Sequence, residues 1–220
     1  MPFLAQRLIA DRLTCVRGER TLFADLSFFI ENHAGLTLTG PNGVGKTSLL
    51  RILAGLLQPS RGEVRIEPDH DIPAAEQCCY IGVRDGLKGS LTPSEHISFW
   101  RAMAGERRSR GLEDDSSALE RFDLSDFASS PTAWLSTGQR RRLALTRLLC
   151  AARPVWLLDE PLNGLDTWAA EELKRLAARH LEDGGIIVAA SHQPLDWPAM
   201  TVLAVGEPNE ARLSRREPLA

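Results

Sequence analysis

Several absences narrow the reading of this chain before any motif is considered. No apolar run approaches the ~20 residues needed to cross a bilayer, so no segment reads as a membrane helix. The opening residues, Met1, Pro2, Phe3, Leu4, Ala5, Gln6 and Arg7, lack the apolar core of a secretory leader, which predicts a cytoplasmic protein. Only four cysteines occur, Cys15, Cys78, Cys79 and Cys150, without C-x-x-C spacing. That excludes a disulfide scaffold and a zinc clamp and predicts reduced, mostly buried thiols. Excess charge is missing too. A formal net charge of −3 gives no basis for bulk binding of nucleic acid or an anionic membrane. Lysine is scarce: Lys46, Lys88 and Lys174 are the only three, so nearly all basic charge is arginine. No internal repeat or low-complexity segment is visible.

What is present suits one α/β domain with a sizeable core and an inserted lobe. The chain has 220 residues, 43% hydrophobic and 25% charged. Residues 8–17 and 21–30 read as two strands around a turn at Gly18, and they predict a separate antiparallel patch. Residues 35–39, 63–66, 78–82, 155–158, 186–190 and 202–205 read as further strands. Helical spacing covers residues 47–54, with Gly55 near the stop, and residues 168–181. Between Thr92 and Ala133 the character turns helical, over 95–104 and 118–127, with a charged stretch at 105–117 that predicts a solvated loop. Ser136 is a good N-cap for a helix over 137–152. Residues 92–152 therefore read as a helical lobe inserted in the single domain 1–220, and the tail after 207 reads as frayed. Strands alternating with helices predict a mostly parallel sheet with ligands at its C-terminal edge.

One stretch carries most of the functional information. Gly40, Pro41, Asn42, Gly43, Val44, Gly45, Lys46 and Thr47 fit G-x-x-x-x-G-K-[ST], between a short strand and a helix. Glycines let successive backbone N–H groups turn toward phosphates, and a helix N-terminus adds its positive dipole end. Lys46 supplies a charge for the β- and γ-phosphates, and the Thr47 hydroxyl is the expected Mg²⁺ ligand. With Ser48, these residues predict an ATP or other nucleoside triphosphate site.

A second constellation follows. The apolar run 155–158 ends in Asp159 and Glu160. In a P-loop protein the first acid suits Mg²⁺, and the second can polarise attacking water as a general base. An ordinary strand end with surface acids has the same pattern. Leu135-Ser136-Thr137-Gly138-Gln139 precedes this strand, Asn163-Gly164-Leu165-Asp166 follows it, and His192 lies after the next strand.

In that order the motifs resemble the nucleotide-binding domain of ABC transporters over essentially the whole chain. The resemblance implies an ABC-type P-loop NTPase cassette that hydrolyses ATP with Mg²⁺. Gly40 to Thr47 is then the Walker A loop. Residues 135–139 match the LSGGQ signature, with Thr137 where the family has glycine. Asp159 matches the Walker B acid, Glu160 the catalytic glutamate, Asp166 the D-loop and His192 the switch histidine. Ser136, Gly138 and Gln139 would form a phosphate site facing the partner's nucleotide, so a homodimer closed around two ATP molecules is the simplest assembly. Two departures stand out. Where the family has a glutamine after the strand at 78–82, this chain has Val83, Arg84 and Asp85. Gln77 precedes that strand and cannot substitute. Where the family stacks an aromatic on adenine, the matching position is Arg17, either a stacking guanidinium or a solvated turn residue.

A narrower resemblance rests on residues 13–23, on Tyr80-Ile81-Gly82 with Gly86-Leu87-Lys88, and on 135–149 with its Gln139-Arg140-Arg141-Arg142. These are similar to the ATP-binding subunits of the cytochrome c maturation system. That resemblance implies a role in haem export or handling for c-type cytochrome biogenesis. It also implies a CcmB-like membrane-spanning partner and a peripheral place on the cytoplasmic side of a bacterial inner membrane, with membrane contact only through the partner. Alternatives are the ATPase of another small-molecule exporter and a soluble, non-transport ABC ATPase. The latter usually carries tandem cassettes or a long coiled coil, which this chain does not have. No N-K-x-D motif supports a GTPase, and the retained Lys46, Asp159, Glu160 and His192 argue against a non-hydrolysing regulator.

Overall fold

Alternating apolar residues set up the first layer. In the computed structural model, β1 (Arg7–Arg17) and β2 (Arg20–Glu31) pair antiparallel across a turn with Gly18 at φ 59°. Along β1 the side chains of Leu8, Ala10, Leu13 and Cys15 are buried while their neighbours face outward. The chain then runs through β3 (Ala34–Thr39), α1 (Lys46–Leu53) and β4 (Arg61–Glu67). β4 pairs with the free edge of β1, giving a three-stranded antiparallel sheet ordered β2-β1-β4. The predicted hairpin is thus one strand wider than its sequence suggested. Gly62 makes that pairing possible, since a Cβ there would lie 2.3 Å from the Asp11 carbonyl oxygen. The structure describes residues 3, 4, 6–68, 72–104 and 114–206. Most of the charged stretch and the tail after 206 lie outside them.

After a short α2 (Ala74–Gln77), the remaining strands are β5 (Cys78–Ile81), β6 (Val155–Asp159), β7 (Ile186–Ala190) and β8 (Met200–Ala204). With β3 they form a five-stranded, wholly parallel sheet ordered β5-β6-β7-β3-β8. Both faces are covered, which is why β6 and β7 read as unbroken apolar runs. Val155, Leu157, Ile186, Val188 and Ala190 face the core shared with α1 and the antiparallel sheet. Trp156, Leu158, Ile187 and Ala189 face a second core built with the helices. α1 presents Leu49, Leu50 and Leu53 to the first core, each essentially inaccessible. Truncating such a leucine costs roughly 2–5 kcal/mol.

The helical section between β5 and β6 contains α3 (Pro93–Ala104), α4 (Asp115–Glu120) and α5 (Thr137–Thr146). Two expectations need correction here. The helix expected over 118–127 is α4 with a separate 3₁₀ turn at Ser125–Phe127, because Asp123 adopts φ 54° between them. The helix expected over 137–152 is regular only to Thr146, then tightens into a 3₁₀ turn at Arg147–Leu149. α3 opens with a reciprocal cap: the Thr92 N–H donates to Glu95 Oε2 at 2.8 Å and the Glu95 N–H to Thr92 Oγ1 at 3.2 Å. α6 (Thr167–Glu182) then crosses back to β7, burying Leu173, Leu176 and Leu181 in the second core.

Candidate nucleotide-binding site

The C-terminal ends of β3, β6 and β7 bring the predicted motifs together at one sheet edge. The loop from Gly40 to Gly45 connects β3 to α1. Gly40, Gly43 and Gly45 have φ of 127°, 76° and 117°, a region that side chains other than glycine enter at a cost. Space forbids a side chain at two of them. A Cβ at Gly40 would stand 2.9 Å from the Val205 carbonyl oxygen, and one at Gly45 3.0 Å from the Phe23 ring. Gly45 is also the N-cap of α1 and supplies no capping side chain. Lys46 is buried to 7% exposure, and its Nζ donates to the carbonyls of Gly40 at 2.7 Å and Pro41 at 3.2 Å. The ammonium therefore lies over its own loop. Ser48, one turn position on, meets the Cys15 thiol.

Thr47 and Asp159 are 112 residues apart in sequence, yet the Thr47 hydroxyl donates to Asp159 Oδ1 at 3.2 Å. Asp159 is 2% exposed at the end of β6, and Tyr80 from β5 donates to its Oδ2 at 3.4 Å. Burial pushes the Tyr80 hydroxyl above its usual range, while its hydrogen bond with Arg51 acts in the opposite direction. Glu160 follows with φ 48°, a left-handed backbone at a non-glycine residue. Its N–H donates to the Ala190 carbonyl at 2.8 Å. His192, just beyond β7, reaches the same carboxylate: its N–H lies 3.3 Å from Glu160 Oε2 and its Nε2 3.4 Å from Oε1. The His192 side chain is half exposed, whereas that of Glu160 is 13% exposed.

The other predicted residues stand apart from this cluster. Ser136 caps α5 in a complete capping box. The Gln139 N–H donates to Ser136 Oγ at 3.2 Å, and the Ser136 N–H to Gln139 Oε1 at 2.8 Å. Thr137 needs no positive φ, so a threonine fits where the family has glycine. Gly138 approaches the loop before α6, since a Cβ there would lie 3.4 Å from the Gly164 carbonyl oxygen. Asp166 caps α6, accepting from the Ala169 N–H at 2.8 Å. Arg17 is exposed at the end of β1. Gln77 is buried before β5, with its Nε2 on the Ile72 carbonyl at 3.1 Å, and takes no part in the site.

A family model described as ABC transporter matches residues 23–163. A cytochrome c biogenesis ATP-binding export protein, CcmA, of Nitrobacter winogradskyi is 47% identical over 190 residues, spanning 86% of this chain and 93% of that protein. The chain belongs to the ABC transporter family. Its likeness to the CcmA branch recurs in the Chelativorans protein of the same name, 44% identical over 205 residues, or 92% of this chain and all of that one. Among solved structures, a dimeric ATP-binding cassette in a post-hydrolysis state, bound to ADP and Pi, superposes with a TM-score of 0.71. It is 23% identical and covers 84% of this chain and 88% of its own, a likeness of fold.

Within this ABC cassette two residues stand at the site that sequence reasoning did not single out. Tyr80 is the first, read in sequence as part of a buried strand and of the narrower resemblance but given no role at the site. Arg141 is the second. It is 4% exposed on α5, and its guanidinium reaches the carbonyls of Gly82, Asp159 and Glu160. In sequence it is the middle of the three successive arginines after Gln139, a run that entered the narrower resemblance without a role for any one of them. A cleft of about 370 Å³ opens beside it, lined in part by Thr47, Arg51, Tyr80, Arg84 and Asp159.

Proposed function

We propose that this chain is the ATP-binding and hydrolysing subunit of an ABC transporter complex that powers haem handling or export in c-type cytochrome biogenesis. The observation that carries the ATPase part is the convergence of Lys46, Thr47, Asp159, Glu160 and His192 at one sheet edge. The open glycine loop and the amides of α1 receive the phosphates, and Lys46 exchanges its two loop carbonyls for phosphate oxygens. Thr47 and Asp159 present two oxygen donors side by side, which suits a hard cation such as Mg²⁺. When bound, that ion supplies neutralisation of charge on the transferred phosphoryl group. Glu160, on a pinned backbone, accepts the proton of the attacking water, and His192 fixes its carboxylate. Arg17 offers a guanidinium plane to adenine.

The exporter part rests on the likeness to the CcmA proteins over most of both chains. In this reading Ser136, Gly138, Gln139 and Asp166 face the nucleotide of a second copy, so two chains close around two ATP molecules as a single-domain homodimer. No helix among the described residues is long and apolar enough to cross a membrane. Attachment to the cytoplasmic side of the inner membrane then comes through a CcmB-like spanning subunit, docked around residues 83–100.

Glu160→Gln tests both halves. The amide cannot act as a base, so ATP binding persists, hydrolysis stalls and closed dimers accumulate, with light scattering in ATP·Mg²⁺ giving about twice the monomer mass. A strain carrying only this variant loses haem-stained c-type cytochromes and keeps its b-type cytochromes. Wild-type turnover would refute the base assignment, and normal c-type cytochromes in that strain would refute the haem role.

A further inference from the structure

The loop that lacks the family glutamine is held by a residue from the signature helix. Arg141 Nη1 donates to the Gly82 carbonyl at 2.7 Å and lies 3.5 Å from Asp85 Oδ1. Its Nη2 donates to the Glu160 carbonyl at 2.8 Å and to the Asp159 carbonyl at 3.3 Å. One planar fork thus joins three segments: the start of α5, the loop after β5 and the end of β6. A lysine ammonium, with one centre and three donors, cannot span these acceptors.

Pairing with a carboxylate does not account for this arginine. Among the described residues its only carboxylate partner is Asp85, at the long end of the hydrogen-bond range, and its buried Nε has no partner. Its charge is met mainly by the three backbone carbonyls. Its position has a mechanical consequence. Glu160 adopts φ 48°, and its peptide groups are pinned from two sides, by Ala190 through the N–H and by Arg141 through the carbonyl. Any tilt of α5 therefore moves the backbone that aims the Glu160 carboxylate.

We propose that Arg141 is a positioning residue that links the two nucleotide sites of the dimer. The inference rests on the reading above, in which Ser136 at the start of α5 meets the partner's nucleotide and Glu160 serves the chain's own. Occupancy at Ser136 sets α5, and Arg141 transmits that setting, one turn along, to Glu160. Each site then fires only when the other is filled.

The test uses the chain in complex with its membrane subunit. Arg141→Lys and Arg141→Gln are compared with wild type for turnover against ATP concentration, and for ATP affinity of the isolated chain by calorimetry. The expected result is a fall in kcat of about tenfold or more, ATP affinity within about twofold of wild type, and a Hill coefficient reduced to about one. In the Glu160→Gln background, Arg141→Lys should still give the closed dimer. Should both Arg141 variants misfold, Asp85→Ala removes a single contact of the fork at a partly exposed side chain and should lower the Hill coefficient in the same direction. Wild-type kcat and Hill coefficient in the Arg141 variants, or in Asp85→Ala when those misfold, would overturn the proposal. So would a wild-type Hill coefficient of about one, or ATP affinity lost in parallel with kcat. A Glu160→Gln variant that still hydrolyses ATP would instead break the underlying reading.

Discussion

Two helices begin at the proposed phosphate sites, and their N-termini are built differently. α1 starts from Gly45, which offers no side chain to its first amides, and the neighbouring Lys46 is parked on loop carbonyls. α5 starts from Ser136, whose hydroxyl oxygen and backbone amide are both engaged by Gln139. The first terminus is left open, with donors in need of partners. The second satisfies two of its donors through the Ser136–Gln139 pair and keeps the Ser136 hydroxyl proton and the amides of Thr137 and Gly138 to give. An open terminus can bind phosphate in a lone chain. A half-capped one has fewer donors left, suited to completing the shell of a phosphate already held elsewhere. In the proposed function, that difference in caps divides the labour between a binding loop and a completing signature.

The strongest attack on that comparison is Lys46→Ala. It removes the only side-chain charge of the open terminus, so hydrolysis should fall below detection in a phosphate-release assay and ATP should bind more weakly by calorimetry. Retained turnover would place the phosphates elsewhere. Ser136→Ala attacks the other terminus. Loss of the cap should cost about 1 kcal/mol of stability in urea unfolding. Turnover should also drop, while ATP affinity of the isolated chain stays unchanged. If affinity fell as far as turnover, the two termini would not differ as described. The smallest expected effect belongs to Arg17→Ala, which should weaken ATP binding by about 0.5–2 kcal/mol if the guanidinium stacks on adenine. Unchanged affinity would assign Arg17 to the solvated turn and leave the whole of recognition to the phosphates.

Those termini also show what could be read without coordinates. The P-loop was legible because every part of it is local: strand, glycines, lysine and helix follow one another. Asp159 and Glu160 were legible once the order of motifs was noticed, because an apolar run ending in two acids sits where a parallel strand ends. Contacts across the fold were not legible. Nothing near residues 63–66 says that they pair with β1, since an antiparallel partner depends on where the chain returns. The end of α5 at Thr146 was missed because a 3₁₀ turn keeps nearly the same apolar spacing as the helix it extends. Arg141 was missed for a related reason. On a helix flanked by Arg140 and Arg142, only the neighbouring loops reveal which of the three points inward. Asp166 carries a plain local duty as well, capping α6.

The cysteines lead to a different kind of consequence. All four are buried, and burial pushes the thiols of Cys78 and Cys150 up to about 12. At neutral pH only about one in 10⁵ such groups is a thiolate, the form that attacks disulfides and peroxides. Neither Cys78 nor Cys150 then offers oxidants or alkylating reagents a thiolate on the folded chain. At these two positions the fold gives redox chemistry no handle.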